Sequence, residues 1–192
     1  MEDVEILKRY NDIYLGIILR YRLYIEEKES LYVAELPTLV TPDHESIVGF
    51  ANAIKARYQA YSYEDNFYDS AIFAYEHVKE KIINVTMPVQ FWLNPSQTLN
   101  YGAGDVFDKI VLLCTLLVAL GNASSKAMAI IRGNERRFLV YFEFDGKIVS
   151  MDLDNGIEKF DSRESLLDIF GIRDDGEVSA YEFNDKMYVD IV

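Results

Sequence analysis

The chain has 192 residues, half of them hydrophobic and 14% aromatic, with fourteen tyrosines; this suffices for one large core and excludes a disordered chain. A net charge of -13 excludes a general binder of nucleic acid or of anionic membrane, because an acidic surface repels phosphate and releases no counterions from it. Its single cysteine, Cys114, excludes an internal disulfide and fits a reducing compartment.

The N-terminus, Met-Glu-Asp, shows no basic or apolar leader. The longest apolar run, Ile110 to Leu120, is shorter than the roughly 20 residues a bilayer requires. The expectation is a soluble, cytoplasmic protein with neutral, basic or small partners.

From Val4 to about Glu27, Leu7, Tyr10, Tyr14, Ile17, Tyr21 and Tyr24 recur at spacings of three and four, which predicts a helix with one apolar face. The face is read as packing on its own domain; a dimerising helix, and so a homo-oligomer, is the alternative. Leu31 to Val40 reads as extended, with Pro37 restricting it to an edge strand or a crossing arm. Thr41-Pro42-Asp43 marks a helix start, and the spacing predicts helices over 44–61 and 65–83.

The stretch from Trp92 to Gly121 carries the most information. After an aromatic and a proline turn it tightens at Gly102-Ala103-Gly104, is capped by Asp105 with Asp108 three residues later, and runs into a helix apolar on every side. Such a helix must be buried on every side, so it is central. Strands follow at 127–131, 138–144, 147–153 and 157–160, with Asp145-Gly146 as a two-residue hairpin turn. The tail adds a helix near 162–170 and strands at 178–183 and 186–191.

The pattern Trp92, Pro95, Thr98-Leu99, Gly104-Asp105-x-x-Asp108 and a long apolar helix resembles the transglutaminase-like superfamily of the papain-related cysteine proteases, over about residues 40 to 156. The resemblance implies an α+β fold, with the central helix on an antiparallel sheet. It also implies a catalytic Cys after the Gly-Asp pair, a His on a strand and an Asp on the next. Those positions hold Val106, Arg137 and Asp152. The two histidines, His44 and His77, precede the nucleophile position and do not fit that order.

The chain is therefore expected to be one domain, 1–192. Its core lies at about 40–156, with an N-terminal helix and arm at 1–40 and a C-terminal helix and hairpin at 157–192. It is expected to be a pseudoenzyme, not an enzyme, that binds a peptide or amide-bearing ligand in a remnant cleft lined by Trp92, Asp105, Val106, Arg137 and Asp152. Arg137 and Asp152 are expected to pair. The alternatives are an assembly protein using the N-terminal helix, and a hydrolase with non-standard residues.

No metal or cofactor is expected. The histidines show no ligand spacing with Cys114. Asp152-x-Asp154-Asn155-Gly156 lacks the acidic twelfth position of a calcium loop and reads as a β-turn. Gly102-x-Gly104 is too short for a nucleotide loop. Cys114, inside the apolar run, reads as a packing residue.

Overall fold

The computed structural model describes residues 2–28, 32–89, 91–172 and 176–192. Two helices, α1 (Glu2–Arg20) and α2 (Arg22–Lys28), come first, with main-chain hydrogen bonds on both sides of Tyr21 continuing the helical path. A 3-10 helix, Val33–Leu39, stands where an extended arm was expected; Leu31 itself lies outside the described residues. The reason is local. The Glu35 carboxylate accepts from the Tyr32 N–H (2.8 Å), and Thr38 Oγ1 donates to the Glu35 carbonyl (2.6 Å), while the fixed φ of Pro37 suits a helical turn.

Helices α3 (Glu45–Lys55) and α4 (Tyr63–Lys81) follow, begun by side-chain caps from His44 and Ser62. A short strand β1 (Ile83–Asn84) pairs in parallel with β2 (Ala103–Gly104), on either side of α5 (Pro95–Tyr101). Helix α6 (Val106–Ala119) is the predicted central helix, and its residues from Phe107 to Leu117 are all buried. Even Lys109 is enclosed: its ammonium donates to the Ile82 carbonyl at 2.9 Å, at the end of α4. Burial lowers its pKa, and the helix C-terminus is a favourable place for its charge.

The rest of the chain is one antiparallel sheet. Strands β3 (Lys126–Arg132), β4 (Glu135–Phe144), β5 (Lys147–Asp152), β6 (Gly156–Phe160), β7 (Ser179–Phe183) and β8 (Tyr188–Asp190) lie in the order β6-β5-β4-β3-β7-β8. The turn between β4 and β5 has Asp145 at φ 51 and Gly146 at φ 68, the paired positive angles that a tight hairpin needs and that Asp-Gly supplies.

Both faces of the sheet are covered, so there are two cores. On one face, Val140, Phe142, Val149, Met151 and Phe183 meet α3, α4 and α6, with Phe67 set edge-on against Phe142 at 5.3 Å. On the other, Met128, Ile130, Leu139, Tyr141 and Ala180 meet Leu166 of α7 (Arg163–Ile169), Phe170 and Ile172. Each large side chain so enclosed contributes roughly 1.5–3 kcal/mol by leaving water. The far face also encloses Glu182, which accepts from Lys126 Nζ (2.8 Å), Arg163 Nη2 (2.9 Å) and the Tyr141 hydroxyl. Burial pushes its pKa up, but these donors outweigh burial and hold it below the ordinary value.

The fold is thus α+β, a buried helix on an antiparallel sheet, as expected. The N-terminal helix differs from its expectation. Along α1, Leu7, Tyr10, Ile13, Tyr14 and Ile17 are each about half exposed, so the helix does not pack on its own domain. Among the described residues, nothing covers these five side chains. No helix among the described residues is long and apolar enough to cross a membrane.

Candidate functional site

The site is built around the start of α6. Asn94 caps α5 by accepting from the Gln97 N–H, Pro95 occupies its first turn, and Gly102, at φ 62, ends it. The chain then passes through β2 and reaches Asp105. The Asp105 carboxylate accepts from the Asp108 N–H (2.8 Å), and the Asp108 carboxylate accepts from the Asp105 N–H (3.0 Å), a reciprocal cap. Asp108 also accepts from the Leu93 N–H at 3.0 Å. One buried carboxylate therefore ties the Trp92 segment to the first turn of the helix.

That carboxylate is strained electrostatically. Burial, then the neighbouring Asp105, raises the Asp108 pKa to about 6 in spite of the two backbone donors. Gly104 is required close by, because a Cβ there would lie 2.9 Å from the Asp108 Cβ and 3.0 Å from Thr98 Cγ2.

Beside this helix start lies a groove of about 680 Å³. Trp92, Asp105, Val106 and Phe107 form one wall, and Ile131, Arg136, Phe138 and Tyr181 on the sheet form the other. Residues 84–89 line it as well, with Arg22, Glu26 and Val33 from the N-terminal segment. Trp92 and Phe107 have ring centroids 5.2 Å apart, and Phe107 meets Phe138 edge-on at 5.4 Å, so the aromatic lining is continuous.

The structure brings Trp92, Asp105 and Val106 together here and places Arg137 and Asp152 elsewhere. Side chains alternate along β4: Phe138, Val140, Phe142 and Phe144 belong to the helix face, while Leu139 and Tyr141 belong to the far face. Arg137 follows the second set. Its guanidinium lies over the Phe170 ring, 4.3 Å from the centroid, in the layer of α7. On β5, Met151 pairs with Val140 on the helix face, and Asp152, the next residue, turns the other way.

The expected pair does form, with Arg137 Nε donating to Asp152 Oδ2 at 2.7 Å. Asp152 also accepts from the Asp154 N–H (2.8 Å), the Asn155 N–H (3.0 Å) and the Asn155 amide (3.1 Å). Burial pushes its pKa up, but these donors prevail and hold it below the ordinary range. Asp152 therefore organises the turn into β6. A five-residue cleft of Trp92, Asp105, Val106, Arg137 and Asp152 is not what the chain assembles, because the sheet stands between the two sets.

The groove's sheet-side residues, Arg136, Phe138 and Tyr181, are not among the expected site residues. A one-residue slip in a strand exchanges its faces, and Arg136 occupies the groove face where Arg137 was expected. The signal was present in the even-numbered run Phe138, Val140, Phe142 and Phe144, which shares a face with Arg136. Cys114 is fully buried, and burial raises its thiol to about 12, so the nucleophilic thiolate is suppressed. No cluster of metal-ligating side chains occurs among the described residues.

No family model matches the sequence, and no curated protein does. Several solved structures are similar in shape, among them the following three. Calcium-bound LapG of Legionella pneumophila is 17% identical, with a TM-score of 0.46 over 75% of this chain and 87% of that one. The EGTA-treated form of the same protein gives 15% and 0.46, over 76% and 86%. A candidate protease of Parabacteroides distasonis gives 13% and 0.46, over 81% of this chain and only 30% of that one.

At these values the likeness concerns the course of the chain and assigns no residue a role. The expectation that the chain is not an enzyme is nevertheless corrected. It rested on Val106 standing at one position of a resemblance, and a substitution there is not a measured loss of activity.

Proposed function

We propose that the groove between the start of α6 and the sheet binds an extended peptide or another amide-bearing ligand. In this reading Val106 occupies the place of the nucleophile that the transglutaminase-like resemblance implies, and Arg136 stands across from it on the groove face. The supporting observation is the convergence of Trp92, Asp105 and Val106 with Arg136, Phe138 and Tyr181 on one open groove. Its size lies within the roughly 300–1,000 Å³ of ligand sites. An amide presents a donor and an acceptor together; the Asp105 carboxylate and the Arg136 guanidinium complement them, and the aromatic lining takes apolar side chains. The overall charge of -13 favours neutral or basic peptides.

Trp92 is the only tryptophan, so its emission reports on the groove directly. Titration with a neutral-to-basic peptide library should produce saturable changes for some members. Arg136→Glu should weaken those at least about tenfold, by about 1.4 kcal/mol, whereas Arg137→Ala, on the other face, should leave them unchanged. Mass spectrometry of the same mixtures registers any cleavage or amide exchange. The proposal fails if no peptide gives saturation at millimolar concentration, or if Arg136→Glu binds as the parent does.

A further inference from the structure

The strongest unpartnered feature lies outside the groove. Leu7, Tyr10, Tyr14, Ile17, Tyr21 and Tyr24 follow the three-four spacing of a heptad seam over a little more than two heptads, widened by Ile6, Ile13, Ile18 and Ile25. The structure leaves Leu7 61%, Tyr14 57% and Tyr24 62% exposed, and Tyr10 and Tyr14 already stack at 6.3 Å along one side of α1. We propose that this face pairs with the same face of a second copy of the chain.

Three observations select that occupant. The first is area. Taken at their exposures, the seam residues with Ile6 and Ile13 offer about 900 Å² per copy, against the roughly 800 Å² per partner of a standard stable interface. The second is charge. Residues 2–28 hold six acidic and five basic side chains, a net of -1, so nearly all of the chain's -13 lies elsewhere. On this segment two copies can approach without strong repulsion, and residues 13–19 at its centre carry no charge at all.

The third is the composition of the polar side. Exposed Glu5 and Arg9 pair within the helix at 3.3 Å, as Arg22 and Glu26 do at 2.9 Å. Helices that lie in a membrane surface instead carry a polar face rich in Lys and Arg, with Trp, Phe or Leu opposite. This segment has balanced charge, and its aromatics are all tyrosine. A heptad seam flanked by self-neutralised pairs fits another helix of the same kind.

The test is sedimentation velocity of the full chain from about 1 to 100 μM, a span on either side of the micromolar Kd typical of a modest interface. The expected mass is that of two chains. Tyr14→Glu combined with Ile17→Glu should shift the species to the mass of one chain with an unchanged far-ultraviolet circular dichroism spectrum, because neither side chain contributes to the core. Lys8→Ala, away from the seam, should leave the pair intact. A parent chain that stays monomeric throughout overturns the proposal, as does a dimer that survives both glutamates. So does a chain that stays monomeric alone and instead sediments with vesicles of zwitterionic or anionic lipid.

Discussion

Asp152 offers the sharpest separation of a structural role from a ligand-binding one. In Asp152→Ala the Asp154 and Asn155 N–H groups lose their acceptor, and Arg137 and the Asn155 amide lose theirs. The Arg137 side chain is 41% exposed and can turn to water, so the ion pair itself is worth no more than about 1 kcal/mol. The two turn N–H bonds to a buried carboxylate carry more, about 1 kcal/mol or somewhat above each. The total is about 3 kcal/mol, which for a chain of this size lowers the melting temperature by roughly 6–12 °C. Asp152→Asn keeps an acceptor for the turn and should lose about 1 kcal/mol.

The pH dependence has a definite sign. The folded-state pKa of Asp152 is depressed, so its contribution is present above the unfolded value of about 3.9 and disappears as pH falls through the folded one. The Asp152→Ala deficit should therefore be full at pH 7 and shrink in acid, as read by differential scanning calorimetry from pH 2 to pH 7. Peptide titration through Trp92 should be unchanged. A melting temperature within about 2 °C of the parent's, or loss of peptide binding at unchanged stability, would refute the assignment of Asp152 to the turn.

Asp108 should behave in the opposite sense: its folded pKa is raised to about 6, so the parent should lose stability as pH rises from about 4 through that value. Asp108→Asn should flatten this window in calorimetric scans, and a parent profile already flat there contradicts the strain at the helix start. Gly104→Ala should cost about 1–3 kcal/mol, measured by urea unfolding, because the new Cβ meets Thr98 and Asp108, both buried; a neutral result would mean that the turn yields freely. Native protein at pH 8 should resist iodoacetamide at Cys114 for hours and react fully in denaturant, whereas rapid native labelling would show that the thiol is reachable.

Much of the fold was legible from local chemistry. Asp145-Gly146 announced its hairpin because few residue pairs take up two positive φ angles at so little cost. The run Ile110 to Leu120 could only be interior, and Asp105 could be read as its cap from type and position alone. The strands after Gly121 were visible because β-branched and aromatic residues cluster between turn residues.

Other decisions belonged to the tertiary structure. Both faces of β4 are buried only over 139–142, and two adjacent arginines offer no polar-apolar contrast, so the assignment of either to the groove depended on which face the neighbouring helices cover. The second task of Asp108, holding Leu93 from fifteen residues away, has no trace in local spacing. The periodicity of residues 7–24 showed that an apolar face exists, but only the packed domain showed that, among the described residues, most of that face stays uncovered. Local sequence determines what each segment needs to bury or cap; the partner that meets the need comes from parts of the chain distant in sequence, brought near only by folding.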